Sequence, residues 1–211
     1  MLPPIPDRPH PAAVIPPPQI LAGERIVLRP YALADIGPQY EAVRESQAQV
    51  GRWLAWCHPE YSLADSRAWV DLRSAAWQVG HDFGFVIADK ADGRFLGGCG
   101  LNQFEWPSRR ANLGYWVRTS AAGRGVATAA ARLLARFGLE WASLERIEIV
   151  AAAGNVASQR VAAKAGATLE CLARRRLHVG DVQSDGFVFS LVRDDFGLPP
   201  CDDSAGRARE Q

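Results

Sequence analysis

Between Ala111 and Trp141 the chain reads ANLGYWVRTSAAGRGVATAAARLLARFGLEW, an order of residue types that few folds accommodate. Leu113, Tyr115 and Val117 alternate with Asn112, Gly114 and Trp116, the period of a strand over Ala111 to Arg118. From Gly125 onward Val126, Ala130, Leu133, Leu134, Phe137 and Trp141 recur at helical spacing. Arg132, Arg136 and Glu140 fall one turn apart on the opposite face. Gly123-Arg124-Gly125 joins strand to helix. The first amides of a helix lack intrahelical partners and sit at the positive end of its dipole. Glycine lets an anion approach them because no Cβ intervenes. The turn therefore either holds a pyrophosphate on backbone N–H groups or is a structural turn that binds nothing. No Gly-Lys-Ser/Thr follows, and the glycine spacing is not that of the dinucleotide fingerprint.

The flanking segments read as alternating strands and helices. Ile26 to Arg29 alternates as a first strand, and Asp35 stands where a helix running toward Val50 would be capped. Trp53 and Trp56 lie in a loop-like stretch, where packing at a helix junction is favoured over lining a pocket. Ser62-Leu-Ala-Asp65 opens a helix that carries Ala68, Trp69, Leu72, Ala76 and Val79 inward and stops at Gly80. Phe83 to Ala88 and Arg94 to Leu101 form a hairpin about Asp92-Gly93, and Phe104 to Arg110 is a loop. Gly97, Gly98 and Gly100 mark a bulge or a close approach inside the second strand. After the central helix come a strand, Arg146 to Ala151, and a short helix, Val156 to Ala165, closed by Gly166. A hairpin of Cys171 to Val179 and Phe187 to Val192 ends the fold. The order predicts an α/β or α+β class with a mixed sheet. Residues 1–22 read as a proline-dense disordered arm, 23–197 as the folded domain and 198–211 as a polar tail.

Charge and cysteine usage exclude several classes. A net charge of +1 makes no case for a nucleic acid or membrane partner. No apolar run is long enough to span a bilayer and no secretory pattern opens the chain, so a cytoplasmic protein is expected. Cys57, Cys99, Cys171 and Cys201 make no CxxC motif, and no histidine pair has zinc-ligand spacing, so no metal is expected. Cys99 and Cys171 are expected in the core rather than as nucleophiles.

A second segment, Asn155-Val-Ala-Ser-Gln-Arg-Val-Ala-Ala-Lys-Ala-Gly-Ala167, follows the strand after the central helix. By itself Ser158 is a helix-start residue, and Lys164 is a charge complementing a helix C-terminus. Three stretches together resemble the GNAT superfamily of acyl-CoA-dependent N-acyltransferases: Gly114-Tyr-Trp-Val117, Arg124-Gly125-Val126-Ala127-Thr128, and Asn155…Ser158…Val161…Lys164-Ala-Gly166. The branch most resembled includes the ribosomal-protein-alanine N-acetyltransferases. The resemblance covers about Glu24 to Phe196, with Leu28-Arg29-Pro30, Trp53 to Trp56 and Asp185 to Phe196 fitting more weakly.

This resemblance implies a GNAT-like mixed, mostly antiparallel sheet, splayed at its centre after Val117 and flanked by helices. It implies acetyl-CoA as co-substrate in the cleft. Trp116, Val117 and Arg118 would hold the pantetheine and thioester carbonyl through the backbone. The amides of Gly123, Arg124, Gly125, Val126, Ala127 and Thr128 would hold the pyrophosphate. Asn155 and Ser158 would approach the pantetheine end, with Ser158 as acid for the leaving thiolate, and Arg160 and Lys164 would reach the nucleotide phosphates.

The implied chemistry is direct attack of a neutral amine on the thioester, which needs both reactants held, one proton removed and the oxyanion steadied. No covalent enzyme intermediate is required. Three positions depart from the family pattern: Ala122 stands for the usual Gln or Arg, Asn112 for a frequent glutamate, and Phe189 for a usual tyrosine. The base then falls to Glu105, Asp185 or a chain of waters. The expected function is acetyl transfer from acetyl-CoA to a primary amine, foremost a protein N-terminal α-amine, by a monomer or homodimer. The alternatives are a small-molecule amine acceptor or a non-catalytic acyl-CoA-binding module.

Overall fold

The computed structural model describes residues 20–78 and 82–201. Its strands are β1 (Leu21–Ala22), β2 (Ile26–Pro30), β3 (Phe83–Asp89), β4 (Phe95–Glu105), β5 (Arg110–Val117), β6 (Arg146–Ala152), β7 (Thr168–Val179) and β8 (Val182–Val192). Its helices are α1 (Ile36–Val50), α2 (Leu63–Gln78), α3 (Val126–Glu140) and α4 (Val156–Ala165). One sheet holds all the strands in the order β1-β2-β3-β4-β5-β6-β8-β7. Every pairing is antiparallel except β5 with β6, which α3 connects as a parallel crossover.

Helices cover both faces of the sheet, so β3 is apolar throughout rather than alternating. Phe83, Phe85 and Ile87 point into a core shared with Leu134 and Phe137 of α3. Val86 and Ala88 point into a second core with Val43 of α1 and Val70 of α2. The α3 stripe is seated as its spacing predicts: Ala130, Leu134 and Phe137 are buried, and Arg136 bonds Glu140 at 2.8 Å on the outer face. A Cβ on Gly138 would stand 2.7 Å from Leu101 Cδ1, so glycine there lets α3 lie close on β4.

Local structure departs from the sequence reading at several points. β4 runs on to Glu105 through residues expected in a loop, because Asn102 and Asn112 pair in register and share a side-chain hydrogen bond of 2.9 Å. β8 starts at Val182, not Phe187, and Asp185 Oδ1 ties the bulge of the hairpin by accepting the Arg175 N–H at 2.8 Å. Leu21 and Ala22, assigned to the arm, pair with β2; residues 1–19 lie outside the described residues. Leu198 packs against the main core, and the Cys201 N–H donates to Glu145 at 2.6 Å, so the first tail residues are part of the fold. The rest of the tail, and Val79 with Gly80, lie outside the described residues.

Asp35 occupies the N-cap of α1 but makes no side-chain cap. Its carboxylate turns back to Arg29 at 2.7 Å and to the Ala32 N–H at 2.8 Å. Ser62 and Asp65 do cap α2 reciprocally, at 2.8 and 3.3 Å. Cys99 is buried as expected, but Cys171 is exposed because it lies on β7, the outermost strand. Among the described residues no helix is long and apolar enough to cross a membrane.

Candidate active site

The two parallel strands part early. β5 and β6 share three register positions: Arg110 with Arg146, Ala111 with Ile147, and Asn112 with Glu148. Beyond them β5 stays with β4 as far as Val117 opposite Gly97, while β6 stays with β8 as far as Ala152 opposite Gly186. The opening thus begins at Leu113 and not after Val117. Each strand is held by its outer neighbour, and the inner backbone edges of 113–117 and 149–152 are left without a strand partner. A Cβ on Gly97 would lie 2.2 Å from the Trp116 carbonyl oxygen, so glycine is what brings β4 this close to β5. The closed end is stapled by charge: Arg110 bonds Glu105 and Glu148, each at 2.9 Å, and Arg146 bonds Glu148 at 3.0 Å and Glu170 at 2.6 Å.

At the mouth of the opening the chain turns from β5 into α3. Trp116 has its ring buried beside Trp56 and Phe95 and its carbonyl oxygen toward β4 beside Gly97, so the next residue, Val117, has its backbone toward the opening. Arg118 is less available. Its N–H donates to Leu96 O at 2.8 Å, its carbonyl accepts from Ala121 at 3.0 Å, and its guanidinium bonds Glu45 and Phe95 O. Arg118 thus anchors the start of the β5–α3 connection to β4 and α1. Glu45 also accepts the Ser120 N–H, and Ser46 Oγ accepts the Thr119 N–H at 3.0 Å. The Arg118 hydrogen bond holds the Glu45 carboxyl down to about 2.

Gly123 and Gly125 follow with φ of +73° and +80°, and a Cβ on either would meet nothing within 4 Å. Gly125 is the N-cap of α3 and brings no side-chain cap. Ala129 is the residue whose N–H returns to Gly125 O, at 2.9 Å, which leaves the amides of Val126, Ala127 and Thr128 without intrahelical acceptors. Ala122 and Arg124 are exposed beside them. The geometry is that of an open anion cradle: bare amides, the positive end of a 15-residue helix, and no side chain in the way.

The other wall is α4. Asn155 is its N-cap, and its Oδ1 accepts the Ser158 N–H at 3.1 Å. Tyr115 reaches from β5 to the same serine, donating to Ser158 O at 3.0 Å and lying 3.1 Å from Ser158 Oγ. Sequence reasoning gave Tyr115 no role. The available signal was its place on the core-facing side of β5, since a phenol directed inward needs a polar partner. Arg160 and Lys164 are exposed, one turn apart on α4. The ring of Trp53 comes within 3.3 Å of where a Gly154 Cβ would stand, so the α1–α2 connection reaches the β6–α4 turn. Trp56 instead packs on Trp69 and Trp116, as the packing expectation had it.

The two carboxylates considered as bases are both engaged. Glu105 sits at the stapled end, exposed, accepting from Ser108 at 2.6 Å and Arg110 at 3.0 Å, and these bonds lower its pKa and weaken it as a base. Asp185 stands beside the end of β6, where Ala153 N–H donates to its carbonyl, and its carboxylate holds the Arg175 amide. Asn112 donates to Asn102, and Phe189 is buried in the main core. Glu148 was not singled out from sequence; it lies at the apex opposite Asn112, neutralised by two arginines.

A sheet opened between its parallel strands, with a bare helix N-terminus at the opening, is the frame of the acyl-CoA-dependent acyltransferases. Residues 25–168 match the family model described as "Acetyltransferase (GNAT) domain", and the chain belongs to that family; it is an acetyltransferase of the GNAT type. A protein of Bacillus subtilis (strain 168), "Putative ribosomal N-acetyltransferase YdaF", is 29% identical over 170 residues, 81% of this chain and 92% of that one. The "Ribosomal-protein-serine acetyltransferase" of Escherichia coli (strain K12) is 23% identical over 83% of this chain and 97% of its own. The crystal structure of the microcin C7 self-immunity acetyltransferase MccE in complex with acetyl-CoA and AMP has the same fold. Its TM-score is 0.75 at 21% identity, over 81% of this chain and 93% of that one.

Proposed function

We propose that this chain transfers the acetyl group of acetyl-CoA to the α-amine of a protein N-terminus, by direct attack within a ternary complex. The observation that carries the proposal is the opening from Leu113, with the uncapped start of α3 at one end and Ser158 on its wall. Acetyl-CoA supplies a thioester whose carbonyl an amine attacks. The amides of Gly123 to Thr128 hold the pyrophosphate, and the inner backbone edge at Val117, next to Trp116, lines the pantetheine arm. Ser158 Oγ donates to the leaving sulfur, positioned by Asn155 through its amide. Arg160 and Lys164, exposed on α4, face the nucleotide phosphates. With Glu105 and Asp185 engaged, a chain of waters passes the amine proton out to solvent. A protein acceptor is favoured because both curated relatives described above are named for ribosomal substrates.

The test is incubation with acetyl-CoA and peptide amides beginning with serine or alanine, following free thiol and the mass of the peptide. Coenzyme A release matched by one acetyl group on the α-amine is expected; release with spermidine or an aminoglycoside only would move the acceptor to a small molecule. A second reading, an acyl-CoA-binding module without turnover, is favoured by the engagement of every candidate carboxylate near the opening. It predicts tight acetyl-CoA binding and no thiol release with any amine.

A further inference from the structure

The Tyr115 side chain crosses the opening. It starts on β5, on the wall formed with β4, and ends on α4, on the wall formed with β6. Its hydroxyl has two partners on one residue, the Ser158 carbonyl at 3.0 Å and the Ser158 hydroxyl at 3.1 Å. A phenol has a single proton, so two arrangements are possible. In the first the phenol donates to the carbonyl and Ser158 donates to the phenol oxygen, which ties up the serine proton. In the second the phenol donates to Ser158 Oγ, and the serine O–H is turned outward as a donor. The Ser158 amide is fixed independently by Asn155 at 3.1 Å, so a rotation of the phenol proton switches the hydroxyl without moving the helix. No other hydrogen-bond partner of Ser158 Oγ occurs among the described residues.

We infer that Tyr115 is the positioning residue for Ser158: its phenol proton, held on the Ser158 carbonyl at rest, turns to Oγ as the thioester opens, so that the serine proton is directed at the sulfur of departing coenzyme A. The inference rests on the acetyl-transfer function proposed above. Burial pushes the Tyr115 phenol up to about 12, so it keeps its proton, and with it the power to donate, throughout the neutral range. Confining the change to one O–H rotation keeps the reorganisation small as charge develops on sulfur.

The experiment is a double-mutant cycle on the full chain, with acetyl-CoA and an N-terminal serine peptide amide as substrates. Tyr115→Phe keeps the ring and removes both bonds. It is expected to lower kcat about tenfold or more while the KM for acetyl-CoA stays within about twofold. Ser158→Ala should lower kcat at least as much, and the double variant no further than Ser158→Ala alone, because the phenol acts only through the serine. Tyr115→Met, which fills similar space without a hydroxyl, should reproduce Tyr115→Phe and replaces it should that variant not fold. Multiplying losses in the double variant, or a raised KM with unchanged kcat, would overturn the inference and leave the phenol a packing group. Turnover by the parent chain that Tyr115→Phe and Tyr115→Met both match removes the pairing alone; no turnover by the parent removes the proposed function and the pairing together.

Discussion

Asn155 commits its side-chain carbonyl to the Ser158 amide at 3.1 Å, and Ser158 turns its hydroxyl to Tyr115 at 3.1 Å. One three-residue spacing thus starts a helix and aims a hydroxyl. Replacing Asn155 by alanine removes the cap and should cost about 1 kcal/mol. Thermal unfolding of Asn155→Ala should register this as a fall of a few degrees, and kcat should fall as well because Ser158 loses one of its fixed points. A stability loss with unchanged kcat would separate the cap from the chemistry. The sequence made the helix from Val156 to Ala165 and its close at Gly166 legible, but it gave the helix-start role to Ser158, and the cap is Asn155. The partnership of Ser158 with Tyr115 was not legible, because 43 residues separate the two and no local pattern links them. Cys171 was misplaced for a related reason: residue type says that cysteine is often buried, but exposure on β7 follows from its being the outermost strand.

The connection from β5 to α3 is positioned by α1, not by its own sequence. Glu45 and Ser46 receive Arg118, Thr119 and Ser120, so the segment that leads into the glycine cradle hangs on one carboxylate and one hydroxyl. The Glu45 carboxyl is held at about 2 against an ordinary 4.5, chiefly by Arg118. A carboxyl with a lowered folded-state pKa stabilises the fold above its unfolded value, and that contribution disappears as pH falls through the folded value. Glu45→Gln should therefore unfold at a lower temperature than the parent at neutral pH. The gap should narrow below pH 4.5 and close near pH 2, read by thermal melts across that range. A gap independent of pH would mean that the difference does not come from the charge on Glu45. Strand and helix identities came from periodicity, and α3 and α4 matched closely. The extension of β4 to Glu105 depended on pairing across to β5, which residue alternation within β4 does not encode.

For the whole molecule, a core packs each side of the sheet, and the opening between β5 and β6 is formed within that packed frame. Acetyl-CoA that binds the folded chain alone should raise its stability by about 2.7 kcal/mol at a hundredfold excess over Kd. Differential scanning measurements with acetyl-CoA, with coenzyme A and without ligand check this; no shift at millimolar ligand would mean that the turn at Gly123–Gly125 is structural. The sequence by itself determined the helices and the core of most strands, the mixed sheet class and the glycine turn. Those follow from the period of apolar residues and from glycine's freedom at φ of +73° and +80°, which are local properties. It also carried the family, through segments whose order and spacing survive without coordinates. Tertiary structure alone decided where the sheet opens, that Arg118 is an anchor, that Glu105 and Asp185 are engaged, and that Tyr115 meets Ser158. Each of these is a contact between residues far apart in the chain, fixed by which strand each neighbour holds, and a linear pattern of residue types contains no term for that.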